Sequence, residues 1–312
     1  MTQCLKHSLA GIFADDTRIL RKISSNADAV LLQEDLLNNI SHWSKQNNMD
    51  LNENKFQFVS HKFKQSPLDI LPFSDEHLFY VTQQGQILEP LNDVIDLGVN
   101  ISANLQWKNQ IGEMVNKSRQ SLAWVLSIIY DRSKNAMMLL YKSFVRSKLE
   151  YCCPLWHTNK LCDIQLAESV QRSFTARISG MEQLNYWERL ERLKIQSLQR
   201  RRERFCIFYM WKVIYGNYTN DLNFQYRLSD RRGLIVLVSP VRNINSRVQT
   251  LYDNSFAVMG PQLWNRLPKD ISLISTFSTF KIKVDKFLSS IPDKPPIQGY
   301  PYTNNNSLLA IT

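Results

Sequence analysis

Near the amino terminus, the pattern of apolar and polar positions predicts two short strands joined by a tight turn. Apolar residues at 9–13 and at 19–20 flank the adjacent acids Asp15 and Asp16. Such a pattern, interrupted by a short polar turn, is typical of a β-hairpin. Two carboxylates at its tip are the hard oxygen ligands that Mg²⁺ prefers and that two-metal phosphoryl transfer requires. An ordinary acidic turn has the same sequence, so this segment alone leaves both interpretations open.

The rest of the first hundred residues predicts one helix and several short strands. Residues 30–46 place apolar side chains on one face at helical spacing, and Ser25 or Asn26 is the predicted cap. Strand-like segments follow at residues 56–61, 78–82 and 94–101. After the second of these segments, Gln84-Gly85 predicts a turn. This part of the chain is therefore predicted to be a small α/β unit.

From Trp107 onward, the apolar positions recur at helical spacing. A stripe from Met137 to Leu149 predicts an amphipathic core helix, and a second helix is predicted over 164–179, before Gly180. Further helices are predicted over 188–193, 198–215 and 276–289, and a short strand over 234–238. Residues 291–312 hold four prolines and three consecutive asparagines, which predicts a flexible tail.

These patterns together predict an α+β fold in three parts. Residues 1–106 contain the β-hairpin, the helix and the short strands, and residues 107–290 form a mainly α-helical domain. Residues 291–312 form the tail. A chain of 312 residues, 44 % hydrophobic and 21 % charged, is long enough for two domains of ordinary size.

Charge is distributed unevenly along the chain. Residues 1–100 hold 8 Lys and Arg against 13 Asp and Glu, a net charge of −5, whereas residues 101–312 hold 30 against 15, a net charge of +15. A phosphate-binding surface accounts for this asymmetry, although a solvated helical surface also produces it. The candidate phosphate contacts are Lys142, Arg146, Lys148, Arg200, Arg201, Arg202 and Arg204. The side chains of the four arginines point in different directions around their helix. The alternative expectation is therefore that some of them pair with Glu188, Glu191 or Glu203.

Neither a membrane span nor a disulfide framework is predicted. No run reaches the about 18 consecutive apolar residues of a membrane span, and the amino terminus lacks a signal-peptide core. We expect a cytoplasmic or nuclear protein that is not secreted and has no membrane partner; its oligomeric state stays open. The five cysteines show no Cys-x-x-Cys spacing, so reduced, buried thiols are expected.

A zinc knuckle is a weaker interpretation of one cysteine cluster. Cys152, Cys153, His157 and Cys162 can be drawn as its ligands. Adjacent cysteines are poor zinc partners, however, and the intervening Pro-Leu-Trp segment is typical of packing. We therefore do not predict a zinc site here.

Several segments, in order along the chain, resemble reverse transcriptases of jockey-like and CR1-like non-LTR retrotransposons. They are residues 13–19, 36–40, 47–55, 96–102, 141–151, 164–172, 263–268 and 277–281. The first resembles the palm box of those enzymes, the fourth their primer-grip hairpin, and the next two their thumb. The resemblance implies a partial palm over residues 1–106 and a thumb-like domain over 107–290.

The resemblance also implies roles for single residues. It implies that Asp15 and Asp16 are catalytic residues that bind Mg²⁺, and that Lys55 contacts the incoming nucleotide. Leu97 and Gly98 match the primer grip. The implied activity is RNA-directed DNA polymerisation, a nucleotidyl transfer, and the implied partners are an RNA template with a DNA primer or a hybrid duplex.

The resemblance is incomplete at the amino end. Only fourteen residues precede Asp15, which leaves no room for the fingers or for the upstream strand that carries a further metal-binding Asp in those enzymes. We therefore expect weak or absent Mg²⁺ binding and an inactive chain when it is alone, since two-metal catalysis needs that ligand. The alternatives are a non-catalytic nucleic-acid-binding remnant and a helical scaffold.

Overall fold

The computed structural model describes residues 4–61, 80–216, 224–238, 246–300 and 306–310. The fold is α+β and mainly helical, as predicted, and each sheet in the described part of the chain has two strands. The chain divides into two compact units, Met1–Leu105 and Gln106–Thr312, which we call the N-terminal unit and the helical unit. This division lies one residue from the predicted boundary. Across the described ranges, no helix combines the length and apolar character that a membrane crossing needs.

The N-terminal unit is built from two hairpins and one long interrupted helix. Its strands are β1 (Leu9–Phe13), β2 (Asp16–Leu20), β3 (Phe58–Val59), β4 (Pro90–Leu91), β5 (Asp93–Asp96) and β6 (Val99–Ser102). β1 pairs with β2 and β5 with β6, both antiparallel, and β3 pairs with β4 in parallel. Helix α1 (Asn26–Glu34), a π-helical segment (Asp35–Ile40) and α2 (Ser41–Gln46) follow one another without a break.

The predicted helix is confirmed, and its start has a clear physical cause. Ser25 and Asp28 form a capping box, which satisfies free backbone N–H groups of the first turn. Inside the helix, the buried carboxylate of Asp35 accepts hydrogen bonds from the backbone N–H groups of Lys6 (2.9 Å) and His7 (3.1 Å). Although burial alone raises the pKa of Asp35, these bonds and others outweigh it and hold that pKa below its usual range. The helix thereby fixes the segment that leads into β1.

Two of the predicted strands differ from the structure. The segment 94–101 is a hairpin instead of one strand, because Leu97 (φ 46°) and Gly98 (φ 77°) both adopt the left-handed conformation of a type I′ turn. The segment 56–61 contains only the two-residue strand β3. Part of the segment 78–82 lies outside the described residues, and Val81 pairs with Ile87 around the predicted Gln84-Gly85 turn.

The helical unit begins with a long helix and continues as a succession of shorter ones. Its helices are α3 (Lys108–Ile128), α4 (Lys134–Leu140), α5 (Ser147–Glu150), α6 (Leu161–Thr175), α7 (Tyr186–Leu193), α8 (Leu198–Tyr215), α9 (Ser246–Asp253), α10 (Phe256–Trp264), α11 (Lys269–Ser272) and α12 (Phe277–Ser289). A π-helical segment, Tyr141–Arg146, joins α4 to α5, so the predicted helix over 137–149 is continuous. The hairpin of β7 (Gln225–Ser229) and β8 (Gly233–Leu237) packs beside α10 and α11.

Two apolar clusters form the interior of the helical unit. The first contains the predicted stripe, with Met137, Tyr141 and Leu149 each at most 1 % exposed. The second centres on Trp264 and Phe280, whose rings stack with centroids 5.6 Å apart. Helix α8 contributes to both clusters, because its first turns pack in the first cluster and its middle packs in the second.

The prediction of a flexible tail is wrong for the part of residues 291–312 that the structure describes. Ile297, Ser307 and Leu308 are buried, and Asp293 accepts hydrogen bonds from the backbone N–H (2.6 Å) and the hydroxyl (2.7 Å) of Ser197. The polar composition that predicted a loose segment instead supplies partners for buried polar groups at the start of α8.

We expect the two units to differ in local stability. The core helix over 137–149 has buried side chains in the first cluster, whereas β1 and β2 form an isolated two-stranded sheet whose Leu9 and Phe13 are 74 % and 63 % exposed. Hydrogen exchange followed by mass spectrometry should show slower exchange over 137–149 than over 9–20. Equal protection of the two segments would contradict this expectation.

Candidate metal site and nucleic-acid surface

The two acids predicted to bind metal lie at the tip of the β1–β2 hairpin. Phe13 pairs with Asp16, which leaves Ala14 and Asp15 as a two-residue turn. Ala14 has a φ of 53°, in the left-handed region that a residue with a Cβ rarely adopts. Both carboxylates are exposed to solvent. The tip therefore presents two adjacent, solvent-exposed carboxylates that a divalent cation can reach.

An ion pair connects this hairpin to the one that carries the predicted primer grip. Arg18 of β2 donates to Asp96 of β5 across 2.8 Å, and their side chains are 48 % and 18 % exposed. Asp96 comes directly before the Leu97-Gly98 turn, and Arg18 lies two residues after Asp16. The structure thus brings two of the predicted features together within the N-terminal unit.

Lys55 is placed separately. It is exposed at the end of a short 3-10 turn, Glu53–Lys55. That turn is fixed by Glu53, whose buried carboxylate accepts a hydrogen bond from the backbone N–H of Gln84 (3.0 Å). The predicted contact of Lys55 with a nucleotide stays a prediction, since the structure shows only that this lysine is accessible.

Among the described residues, no group of three or more His, Cys, Asp or Glu side chains is arranged to hold a metal ion. A metal ion bound by Asp15 and Asp16 would therefore have two protein ligands from this part of the chain, and water or phosphate oxygens would fill its remaining coordination positions. In the cysteine cluster, Cys152 and Cys162 are exposed, whereas Cys153 is buried. His157 is also buried, and this burial lowers the pKa of its imidazole to about 3.

The structure separates the three basic residues predicted near the core helix. Lys142 and Lys148 are exposed, and the Lys148 ammonium group donates to the Ser121 hydroxyl across 2.5 Å. Arg146 has a side chain only 19 % exposed, with its Nε 3.6 Å from a carboxylate oxygen of Glu150. Two of these three side chains are therefore accessible to a phosphate group.

The arginines of α8 do not form the phosphate-binding cluster that the sequence predicted. Arg200 and Arg202 are 0 % and 1 % exposed, so neither can contact a phosphate at the surface. Arg201 is bound by Glu150 through two hydrogen bonds, one of 2.9 Å. Arg204 is bound in the same way by Asp285, with one bond of 2.8 Å.

The buried arginines have interior partners. Arg200 donates to the backbone carbonyls of Pro292 (3.2 Å) and Asn306 (2.9 Å), and its Nε lies 3.9 Å from a carboxylate oxygen of Glu203. Arg202 lies over the ring of Trp156, 5.8 Å from its centroid. The alternative of structural pairing is correct for Arg200 and Glu203. Glu188 instead caps α7, by accepting from the backbone N–H of Asn185.

Two buried carboxyl groups share this interior. Glu168 accepts hydrogen bonds from the Tyr186 hydroxyl (2.6 Å) and the Gln199 backbone N–H (2.8 Å). Burial raises the pKa of Glu168 to about 7 and that of Glu203 to about 7. The fold therefore holds acids inside that change charge close to neutral pH.

An open groove that the sequence analysis did not identify lies on the helical unit. Its volume is about 890 Å³, and its basic lining residues are Arg231, Arg232, Arg266 and Lys269. Arg231 and Arg232 are separated from Arg266 and Lys269 by more than thirty positions in sequence, so only the fold reveals the groove. The adjacent arginines at 231 and 232 are the single local signal that sequence alone provides.

The unfolding free energy of the chain should depend on the charge of Glu168. Because the folded-state pKa is raised from 4.5 to about 7, the folded state binds the proton more tightly, and the resulting stabilisation is lost as pH rises through this window. The free energy of unfolding of Glu168→Gln, relative to that of the parent, should therefore rise by on the order of 1–3 kcal/mol between about pH 5 and about pH 8. Urea unfolding at a series of pH values across this range measures this difference.

Glu191→Gln, at an exposed position on α7, is the matched control and should leave the pH dependence as in the parent. His157 contributes a pH dependence of the opposite sign. It is present in the parent and in both variants, so its contribution cancels in the comparison. A parent and a Glu168→Gln variant with the same pH dependence would contradict the assigned raised pKa.

Replacing Arg200 should affect folding and not nucleic-acid binding. Arg200→Met removes two hydrogen bonds and leaves Glu203 without its cation, so the free energy of unfolding should fall by about 3 kcal/mol. At a temperature where the variant stays folded, the salt dependence of hybrid binding should be unchanged. Lys142→Met, at an exposed position, should leave stability unchanged; an equally mild effect of Arg200→Met would contradict the structural role.

Comparisons with known proteins supply no independent identification. No protein-family profile, curated protein or solved structure matches this chain. The resemblance to non-LTR reverse transcriptases therefore rests on the chain's own sequence segments alone.

Proposed function

We propose that this chain is part of an RNA-directed DNA polymerase of the non-LTR retrotransposon kind. In this proposal Asp15 and Asp16 supply part of a Mg²⁺ site, and the helical unit binds an RNA template with its DNA primer. The observation that carries the proposal is the two-residue turn that exposes both carboxylates at the tip of a hairpin whose first strand, Leu9–Phe13, is apolar. A left-handed Ala14 supports it, because unfavourable backbone conformations cluster at functional sites.

The chemistry of the hairpin follows from its donors. A Mg²⁺ ion held there would neutralise negative charge on phosphate oxygens during nucleotidyl transfer. Asp15 and Asp16 would hold such an ion, and Arg18 fixes the hairpin through its ion pair with Asp96. Two-metal catalysis needs a further carboxylate, and none accompanies the pair among the described residues, so the chain alone is expected to be inactive.

The net charge of +15 over residues 101–312 supports a nucleic-acid partner for the helical unit. Lys142 and Lys148 supply accessible cations on one continuous helix. A nuclear or cytoplasmic location, where such partners occur, is part of the proposal.

A non-catalytic nucleic-acid-binding protein is the second candidate. The observation that favours it is the incomplete ligand set, since Asp15 and Asp16 form the whole of the candidate site in the described ranges. A helical scaffold is favoured by a different observation, the use of all four α8 arginines in internal contacts. Hybrid binding by the parent chain separates these two alternatives.

Paramagnetic relaxation by Mn²⁺ tests the metal site. In NMR spectra of the labelled chain, Mn²⁺ should broaden the amide signals of residues 13–17 first, because Mn²⁺ takes the same carboxylate ligands as Mg²⁺. The double substitution Asp15→Asn with Asp16→Asn should abolish this broadening.

Asp50→Asn is the control, since Asp50 is an exposed acid outside the hairpin. The proposed site is rejected if the signals around Asp50 broaden as strongly as those of the hairpin, or if the broadening of the hairpin persists in the double variant. Competition by excess Mg²⁺ should restore the hairpin signals in the parent.

A further inference from the structure

The groove on the helical unit has the chemistry of a phosphate site. Three arginines and one lysine line it, and no carboxylate is among the lining residues in the described part of the chain. Arg231, Arg232, Arg266 and Lys269 are all exposed. Guanidinium groups match phosphate oxygens in bidentate hydrogen bonds, so a concave surface with three of them favours a phosphate-bearing ligand.

Packing explains most of the segment 263–268, which forms one wall of this groove, but it does not explain Arg266. Leu263, Trp264 and Leu267 are buried in the second cluster. Asn265 accepts a hydrogen bond from the backbone N–H of Val236 and donates one to its carbonyl, both 2.9 Å long. Arg266 is the exposed member of the segment, and its guanidinium donates to the Leu309 carbonyl across 3.0 Å while lining the groove.

A glycine fixes the opposite wall. Gly233 has a φ of 75°, and a Cβ at this position would lie 2.8 Å from the Ser272 hydroxyl and 3.1 Å from Lys269 Cγ. Only glycine therefore lets the β7–β8 turn approach α11 this closely. The Lys269 ammonium group also donates to the Asp230 carbonyl in that turn across 3.0 Å. The turn is thus held against α11, and a backbone carbonyl fixes the Lys269 ammonium group, before any ligand binds.

We propose that this groove binds the phosphodiester backbone of a nucleic acid, an inference that rests on the proposed nucleic-acid function. The lining holds no aromatic residue in the described part of the chain, and its apolar members are Leu267, Pro268 and Leu309. Hot spots of protein interfaces are enriched in Trp and Tyr, and neither residue type is among the described lining residues of this groove. Backbone phosphates need only cations and hydrogen-bond donors, so the groove contributes affinity without reading the base sequence.

Charge reversal at the β7–β8 turn tests the groove. The variant Arg231→Glu with Arg232→Glu should bind a labelled RNA–DNA hybrid at least about tenfold more weakly than the parent at low salt. On B-form DNA, the slope of log K against log salt should fall by about 0.9 for each phosphate group that the variant no longer neutralises. The matched control is Lys283→Glu with Lys286→Glu, which makes the same charge change at exposed positions on α12, outside the groove.

The control should retain most of the affinity and the slope of the parent. Arg266→Gln is a second variant, which removes a single cation and should lower the slope by about 0.9. Unfolding midpoints equal to that of the parent show that these exposed substitutions leave the fold intact. Polyglutamate should compete with the hybrid only weakly.

Different failures have different meanings. If the parent binds the hybrid and both double variants lose affinity equally, or neither does, the groove is not the phosphate site while the proposed function stands. If the parent does not bind the hybrid at low salt, the proposed function and the groove inference both fail. If polyglutamate competes as well as unlabelled hybrid, the ligand is an acidic protein and the inference is wrong.

Discussion

The helical unit depends on charged groups that are held inside it at the start of α8. Arg200 and Glu203 are both 0 % exposed, and each is engaged by the carboxyl-terminal segment: Arg200 by the carbonyls of Pro292 and Asn306, Glu203 by the Ser307 hydroxyl at 2.6 Å. A buried charge without partners is costly, so this segment must stay in place for α8 to pack. Because α8 contributes to both apolar clusters, the interior charges also hold those clusters together.

How far the sequence predicts this fold depends on the range of the interaction that decides each element. Helices decided by local apolar spacing were predicted well, as in residues 198–215, which form α8 with the same limits. The positive φ of Leu97 was not predicted, because a leucine gives no local signal for a type I′ turn. The order of the carboxyl-terminal segment was also missed, since its polar residues are bound by partners about a hundred positions away.

The candidate sites follow the same rule: features formed by neighbouring residues were predictable, and features formed by residues far apart in sequence were not. The acidic hairpin at Asp15 and Asp16 was predictable, because both strands and the turn are contiguous. The arginines of α8 were misassigned, because a run of cations looks the same in sequence whether it faces water or buried carboxylates. The basic groove is the opposite case: its cations come from a hairpin turn, a helix end and a short helix, so their proximity is a property of the tertiary structure.

The bidentate contact between Asn265 and Val236 also determines where the β7–β8 sheet ends. A side-chain amide that occupies both the N–H and the carbonyl of a strand residue takes the place that a neighbouring strand would fill. β8 is thereby prevented from pairing with an additional strand at this residue, from this chain or another. An exposed strand edge is a common starting point for aggregation, so one asparagine helps to keep this two-stranded sheet from growing.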